Sequence, residues 1–396
     1  MRRLLLSSLL WPTCLLAHSN EPQDSSALKP RPQLQIGALF SASTYSSQAK
    51  DVHGLWRIPG LLMGGEALPN AKGAQLDDAH LWARYQWQPN TTVHAAIGRH
   101  AGHTELSVEN LYLDYQPPSL KKLNLAAGLV DAKFSPNASS HPSTRELAET
   151  SLLAQAFWGD SIHDLGLQLD WQVHPQLKLG MELYDGDFFP ASKGEGVQVL
   201  FAQTAQSWRQ WQFKAGVWGL QAKALERADE RYQVGHSHGS AYTPPDIRFS
   251  GDSALAGVWL ESSLALSEKL QAHVDYEAVQ AKTIGSLSET NYRAHYQAEH
   301  LGYAFNPSLA YGAWKLSYRF EKLSLDNRLT GAGAEVLAQD ANLLNSRQPQ
   351  RQTLQLAWQA HKNLRLRAAY TQDETLPKVD ERFSVGLVWQ QVLHED

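Results

Sequence analysis

The sequence has almost no cysteine and no long apolar run. Cys14 is the only cysteine among 396 residues, and it lies in an apolar N-terminal segment. Disulfides and thiolate metal sites are therefore excluded for the rest of the chain. Nothing after that segment approaches the roughly 18 to 20 continuous apolar residues of a membrane-spanning helix. The formal charge of -5 gives no indication of nucleic-acid binding.

The N-terminus has the features of a secretion signal. Arg2 and Arg3 precede an apolar stretch from Leu4 to Leu16, and Ala17-His18-Ser19 supplies small residues for signal-peptidase cleavage. We predict a signal peptide at residues 1–19, a short periplasmic segment at 20–32 and an outer-membrane β-barrel at 33–396. The periplasmic segment 20–32 is too short to form a plug domain. The sequence therefore does not predict an energy-coupled receptor, which needs such a plug.

Apolar and polar residues alternate in short segments along the chain. One segment has apolar side chains at every second position and ends at a tight link, residues 174–176, after which the alternation resumes. Its apolar positions are Leu165, Leu167, Leu169, Trp171 and Val173. Since successive strand residues face opposite sides of a sheet, the pattern predicts strands with one apolar face.

Sixteen such segments are joined by links that alternate between short and long. This arrangement predicts an all-β fold, a 16-stranded antiparallel transmembrane barrel with short periplasmic turns and long extracellular loops, in the bacterial outer membrane. The mean hydropathy of -0.40 is compatible with it, because only alternate residues face lipid. The 13 Trp and 14 Tyr suit aromatic girdles. A soluble β-sandwich or lectin-like domain is the alternative, but it rarely has this loop asymmetry.

One stretch resembles the phosphate-selective porin (O and P type) family. An acidic-aromatic strand precedes a glycine-led strand ending in Lys-Phe-Ser-Pro, and an aromatic loop and an Asp-Leu-Gly strand follow. These segments are Glu109–Tyr115, Gly128–Pro136, Ala156–Asp160 and Asp164–Leu169. The resemblance implies a homotrimer of sixteen-stranded barrels that pass small solutes, with a long loop folded into the lumen.

The predicted pore lining has nearly balanced charge. If the polar phase of each strand faces inward, the bases are Arg84, Lys178, Lys214, Lys315, Arg319, Arg365 and Arg367. The inward acids are then Asp114, Asp170, Glu182, Glu261, Asp275, Glu277, Glu299 and Glu321. Because selectivity follows the charges that line a pore, this lumen predicts weak selectivity and gives no ladder of bases for phosphate.

The family resemblance implies that residues 135–162 form the constriction loop. The segment follows the fifth strand, and long loops in compact domains are usually functional or disordered. Phe157 and Trp158 are expected to anchor it against the wall. Glu146, Glu149 and Asp160 are expected to face solutes and favour cations. The alternative is an outward surface loop.

Histidines in the long loops suggest transition-metal binding. His236 and His238 flank one residue in one loop, and His100 and His103 lie in another. Imidazole is a common ligand of zinc. Gly235–Gly239 also matches the Gly-x-Ser-x-Gly elbow of hydrolases, but the strand-to-turn-to-helix context that the elbow requires is missing.

The sequence therefore predicts a passive porin-like channel for small hydrophilic solutes or ions, with no enzymatic activity and no resident cofactor. Its predicted partners are outer-membrane lipid, the solutes and, from the family resemblance, two further copies of the chain. The main alternative is an outer-membrane protein that captures or takes up zinc through its loop histidines. A barrel adhesin or structural protein, which would not conduct, is a further alternative.

Overall fold

A computed structural model describes residues 32–101, 105–139, 141–232, 245–344 and 348–395. The predicted signal peptide lies outside these residues. Among the helices of the described part, none has the length and apolar character to cross a membrane.

Sixteen antiparallel strands form one closed barrel in which each strand pairs with its sequence neighbours and β1 pairs with β16. The predicted strand number and fold class are confirmed. The strands are β1 Gln33–Tyr45, β2 Gly73–Gln88, β3 Thr91–His100, β4 Ser107–Tyr115, β5 Leu123–Asp131, β6 His163–His174, β7 Leu177–Tyr184, β8 Val197–Trp208, β9 Trp211–Arg227, β10 Arg248–Ala265, β11 Leu270–Glu289, β12 Tyr292–Tyr311, β13 Trp314–Thr330, β14 Gln350–His361, β15 Leu364–Asp373 and β16 Asp380–Glu395. Among the described residues the helical segments are short: a π-helical turn Ala154–Trp158, a 3-10 turn Glu230–Tyr232 and the α-helix α1, Ala334–Asp340.

The alternation of short and long links fails in two places. The link 116–122, predicted short, is longer than the link 101–106, predicted long, and the link between β11 and β12 is short. Residues 281–292 were predicted as a long loop, but β11 and β12 continue as 20-residue strands that pair up to Glu289 and Tyr292. Alternation persists through this stretch, with Ile284 exposed and Leu287 fully buried. The prediction was wrong because polar residues were taken to end the strands. Both strands instead continue past the apolar part of the barrel's outer surface.

The outer surface carries an apolar belt. Outward side chains such as Leu165, Leu167 and Leu200 are 57%, 59% and 65% exposed. Exposed aromatic residues lie close to the short turns; they are Trp87, Tyr115, Trp208, Trp211, Tyr311 and Trp314. A closed barrel with an outward apolar belt and an aromatic girdle is the architecture of an outer-membrane protein.

The inner surface is not polar throughout. Inward side chains of β8, β9 and β10 are apolar near the long-loop ends, and they belong to one large buried cluster with residues from the loops. The inward members on these strands are Val197, Val199, Phe201, Trp218, Leu220, Ala222, Leu255 and Trp259. Part of the lumen is therefore a protein core, which the simple rule of a wet inner face does not predict.

Candidate functional site

Residues 132–139 and 141–162 fold into the barrel. The segment forms hydrogen bonds with side chains of strands on opposite sides of the circumference, from Glu182 on β7 and Gln203 on β8 to Arg382 on β16 and Asp78 on β2. A segment can reach all of these inward-facing side chains only by crossing the lumen. We call residues 132–162 the inward loop.

Carboxylates of the wall hold the start of this loop and a point just beyond its middle. Glu182 accepts a hydrogen bond from the backbone nitrogen of Lys133 at 2.8 Å, and Glu277 accepts hydrogen bonds from Ser135 and Asn137. Further along, Glu321 accepts a 2.6 Å bond from the backbone nitrogen of Leu152. Buried backbone donors need such partners, so these acids fix the path of the loop.

Arginines of the wall hold the middle of the loop. Arg319 donates to the carbonyl of Glu149 at 3.0 Å, and Arg365 donates to the carbonyl of Arg145 at 2.9 Å. Arg382 binds the Glu149 carboxylate through two hydrogen bonds of 2.6 Å. Bidentate arginine–carboxylate pairs combine charge with fixed geometry, so they position the loop firmly.

Two loop acids have lowered pKa values. Burial opposes ionisation of Glu149, but Arg382 and Arg351 outweigh it and hold the pKa of that carboxyl below its ordinary value. Burial also opposes ionisation of Glu146, and Lys315 together with Ser317 lowers its pKa. Both groups are therefore ionised at neutral pH.

An apolar face of the loop packs against the wall. Phe157 and Trp158 are 3% and 0% exposed, and the Trp158 ring lies 6.1 Å from the ring of Trp218 on β9. The nitrogen of Trp259 donates to the carbonyl of Phe134 at 2.9 Å. The predicted aromatic anchor thus contacts the wall through the apolar patch of β8–β10.

A second loop, residues 46–72, also folds inward. Its apolar residues Trp56 and Ile58 are 1% and 0% exposed. Its Glu66 nitrogen donates to the carbonyl of Gly159 in the inward loop at 2.8 Å. The sequence analysis did not predict that this second loop folds inward. A group of apolar residues in a long loop indicates a buried segment, and here they are Leu55, Trp56, Ile58, Leu61 and Met63.

The residues predicted to line the pore divide into two groups. Half-buried charges that face the lumen are Arg84, Asp114, Lys178, Asp275 and, more exposed, Lys214. The charged residues that hold the inward loop through hydrogen bonds are Glu182, Glu277, Arg319, Arg365 and Arg367.

Two predicted roles need correction. Glu149 does not face solute, because its side chain is 2% exposed and pairs with Arg382. Glu299 faces outward, where it pairs with Lys282 at 3.0 Å, because β12 extends beyond the apolar belt. Glu146 is 30% exposed beside Lys315, and Asp160 is 29% exposed near Arg145.

Charges of both signs remain beside the loop. Near β10 and β11, Asp275 lies within electrostatic range of Glu146 and Glu261, and Lys214 lies 3.8 Å from Glu261. Near β6, Lys133 lies 4.0 Å from Asp170. Acids and bases therefore lie next to each other beside the inward loop.

The predicted histidine sites have different outcomes. His103, His236 and His238, with the Gly235–Gly239 motif, lie outside the described residues. His100 lies in a cluster with His80 of β2 and His141 of the inward loop, and one ring nitrogen from each lies within 4.8 Å of the others. The prediction did not include His80 or His141, since only the folded loop brings His141 to the wall.

Solved structures with a similar fold include outer-membrane proteins. A loop L8 deletion mutant of Vibrio cholerae OmpT is 11% identical with a TM-score of 0.56, covering 91% of this chain and 99% of that one. The Acinetobacter baumannii channel DcaP is 13% identical with a TM-score of 0.52, covering 92% and 99%. Pseudomonas putida OprB is 9% identical with a TM-score of 0.52, covering 91% and 94%.

No family model matches the chain, and no curated protein matches it. At these identities the structures establish a shared fold. They do not single out the phosphate-selective type.

Proposed function

We propose that the protein is a passive outer-membrane channel for small hydrophilic solutes or ions. The observation that carries this proposal is the inward loop, which is fixed across the lumen by wall side chains. A loop held in this way narrows a barrel without requiring any moving part or energy source. One similar structure is described as an outer membrane channel, which agrees with this function.

The remaining lumen charges predict weak selectivity. Acids and bases lie side by side near β10 and β11, where Glu261 is 3.8 Å from Lys214 and Glu146 pairs with Lys315. Near β6, Asp170 is 4.0 Å from Lys133. Charges of both signs bias ion passage only slightly, because neither sign of ion meets a uniform barrier. We therefore propose a mixed-charge lumen in preference to an anion-specific one.

Planar-bilayer recording tests the channel function. We expect stepwise conductance from the purified, refolded protein and a small reversal potential in a salt gradient. Lys214→Glu should shift the reversal potential toward cation preference by a few-fold change in permeability ratio, because it reverses a half-exposed lumen charge. Lys223→Glu is the matched control, because that lysine lies on the same strand but pairs with Glu195 near the strand's outer end.

A folded barrel that gives no conductance would overturn the channel proposal and favour an adhesin or structural role. The homotrimer implied by the family resemblance remains a proposal. One of the similar structures is described as a trimer form. Native mass measurement in mild detergent would distinguish one barrel from three.

Zinc capture by the long loops remains the second candidate function. It rests on His236, His238, His100 and His103, of which the structure describes only His100. Zinc binding unchanged by a His236→Ala, His238→Ala double substitution would exclude the role of the first pair.

A further inference from the structure

The inward loop brings a third histidine to two on the barrel wall. His80 of β2, His100 of β3 and His141 of the loop form mutual ring contacts, with centroids 5.1 Å apart for His80–His100, 4.8 Å for His80–His141 and 5.4 Å for His100–His141. We propose that these three imidazoles bind one transition-metal dication of the zinc class, which ties the inward loop to the wall. The proposed metal site does not depend on the channel function. It also does not include the loop histidines His236 and His238.

The donor set suits zinc. Three histidines with a fourth position left for water or substrate is a known arrangement for this ion. A tetrahedral zinc ion with nitrogen distances of about 2.0–2.1 Å holds its ligand nitrogens about 3.3 Å apart. In the structure one ring nitrogen from each histidine lies within 4.8 Å of the others, so each ring would move inward by about 1 Å on binding.

Each histidine has a carboxylate beside it. Glu109 lies 2.7 Å from His100, Asp78 lies 3.3 Å from His80, and Asp131 lies 3.9 Å from His141. Acids next to ligand imidazoles orient the rings and raise their basicity. They also supply the negative charge that a buried dication requires.

Backbone irregularities deliver two of these acids to the cluster. The register between β1 and β2 shifts beside Asp77, so that both Asp77 and Asp78 are buried on the inner wall. The register between β3 and β4 shifts beside Glu109, which is 6% exposed while Val108 faces outward. Bulges commonly redirect side chains next to functional sites.

Polar atoms at the cluster are incompletely satisfied. Oδ1 of Asp78 is buried and forms no hydrogen bond, while the buried Nε2 atom of His80 lies 3.3 Å from Oδ2 of Asp78. His80 as a whole is 7% exposed and its ring lies among the other two. A buried carboxylate with an unsatisfied oxygen is costly, and a dication held by the neighbouring imidazoles would offset its charge.

Zinc titration against a chromophoric chelator tests the site. The untagged, refolded protein is stripped with a chelator, dialysed and titrated with zinc sulfate at pH 7.5. We expect one strong site, with affinity reduced at least tenfold by His80→Gln and by His141→Gln. His273→Gln is the matched control, since His273 lies on β11 outside the cluster. The His236→Ala, His238→Ala double variant should retain the site.

Cobalt supplies a second readout that does not depend on channel activity. The parent with Co²⁺ should show the visible absorption of a tetrahedral site, and His141→Gln should lose it while keeping the circular dichroism of the barrel. Equal zinc affinity in the parent and in His141→Gln, or no zinc binding by the folded parent, would overturn the proposal. Because conductance is recorded separately, failure of the metal site leaves the channel function intact.

Discussion

Arg382 of β16 and Glu149 of the inward loop form a bidentate ion pair, with two nitrogen–oxygen distances of 2.6 Å. Both side chains are almost fully buried, at 4% and 2% exposed. Arg382 also contacts Asp373 at 3.0 Å and Asp380 at 2.6 Å. The pair thus links the middle of the loop to an extended charge network on β15 and β16.

Removing Arg382 should release the loop. Replacing one partner of a buried ion pair leaves an uncompensated charge, which costs about 3–5 kcal/mol. We expect Arg382→Ala to give a larger and noisier single-channel conductance than the parent. Lys193→Ala, which breaks an ion pair to Glu226 that is about half exposed, should leave the conductance unchanged. Identical traces for parent and Arg382→Ala would show that the pair does not hold the constriction.

The same anchor predicts a response to acid. The pKa of Glu149 is lowered in the folded protein. The stabilisation of the loop by this carboxylate is therefore fully present above the ordinary carboxyl pKa, and it is lost as pH falls through the lower folded pKa. Conductance fluctuations from loop release should therefore begin only below about pH 4.5. Recordings from pH 7 to pH 3 check this, and Glu149→Gln should fluctuate already at pH 7.

Trp158 should contribute strongly to the fit of the loop. It is fully buried against Phe134 and Trp218, and truncating a buried tryptophan costs about 3–5 kcal/mol. We expect Trp158→Ala to make the loop cleavable by added protease while the barrel stays folded. Trp208→Ala, on the outer girdle and 63% exposed, is the control that should not increase cleavage.

Orientation can be tested by labelling, because the only cysteine lies in the predicted signal peptide. Asn291 lies in the turn between β11 and β12, and Asn363 lies in the turn between β14 and β15, at the other end of the barrel. A maleimide carried on a bulky polymer should label Asn291→Cys on intact cells. Asn363→Cys should be labelled only after the outer membrane is permeabilised. The reverse pattern would invert the assigned topology.

The sequence by itself determined the barrel, because strand alternation and turn chemistry are local signals. Leu165 and Leu167 face outward as predicted, and His163–His174 was located with its observed bounds. The inward direction of charges such as Arg319 and Glu277 also followed from the period of two. These features depend only on residues near each other in the chain.

Only the tertiary structure decided which of those charges face the lumen and which hold the loop. Glu149 is 233 residues from Arg382, and His141 is 61 residues from His80, so no periodicity relates the members of either group. Closing the barrel brings distant strands around one lumen, and the inward loop then joins them. The apolar inner patch of β8–β10 escaped prediction for the same reason, since its cover comes from remote loops.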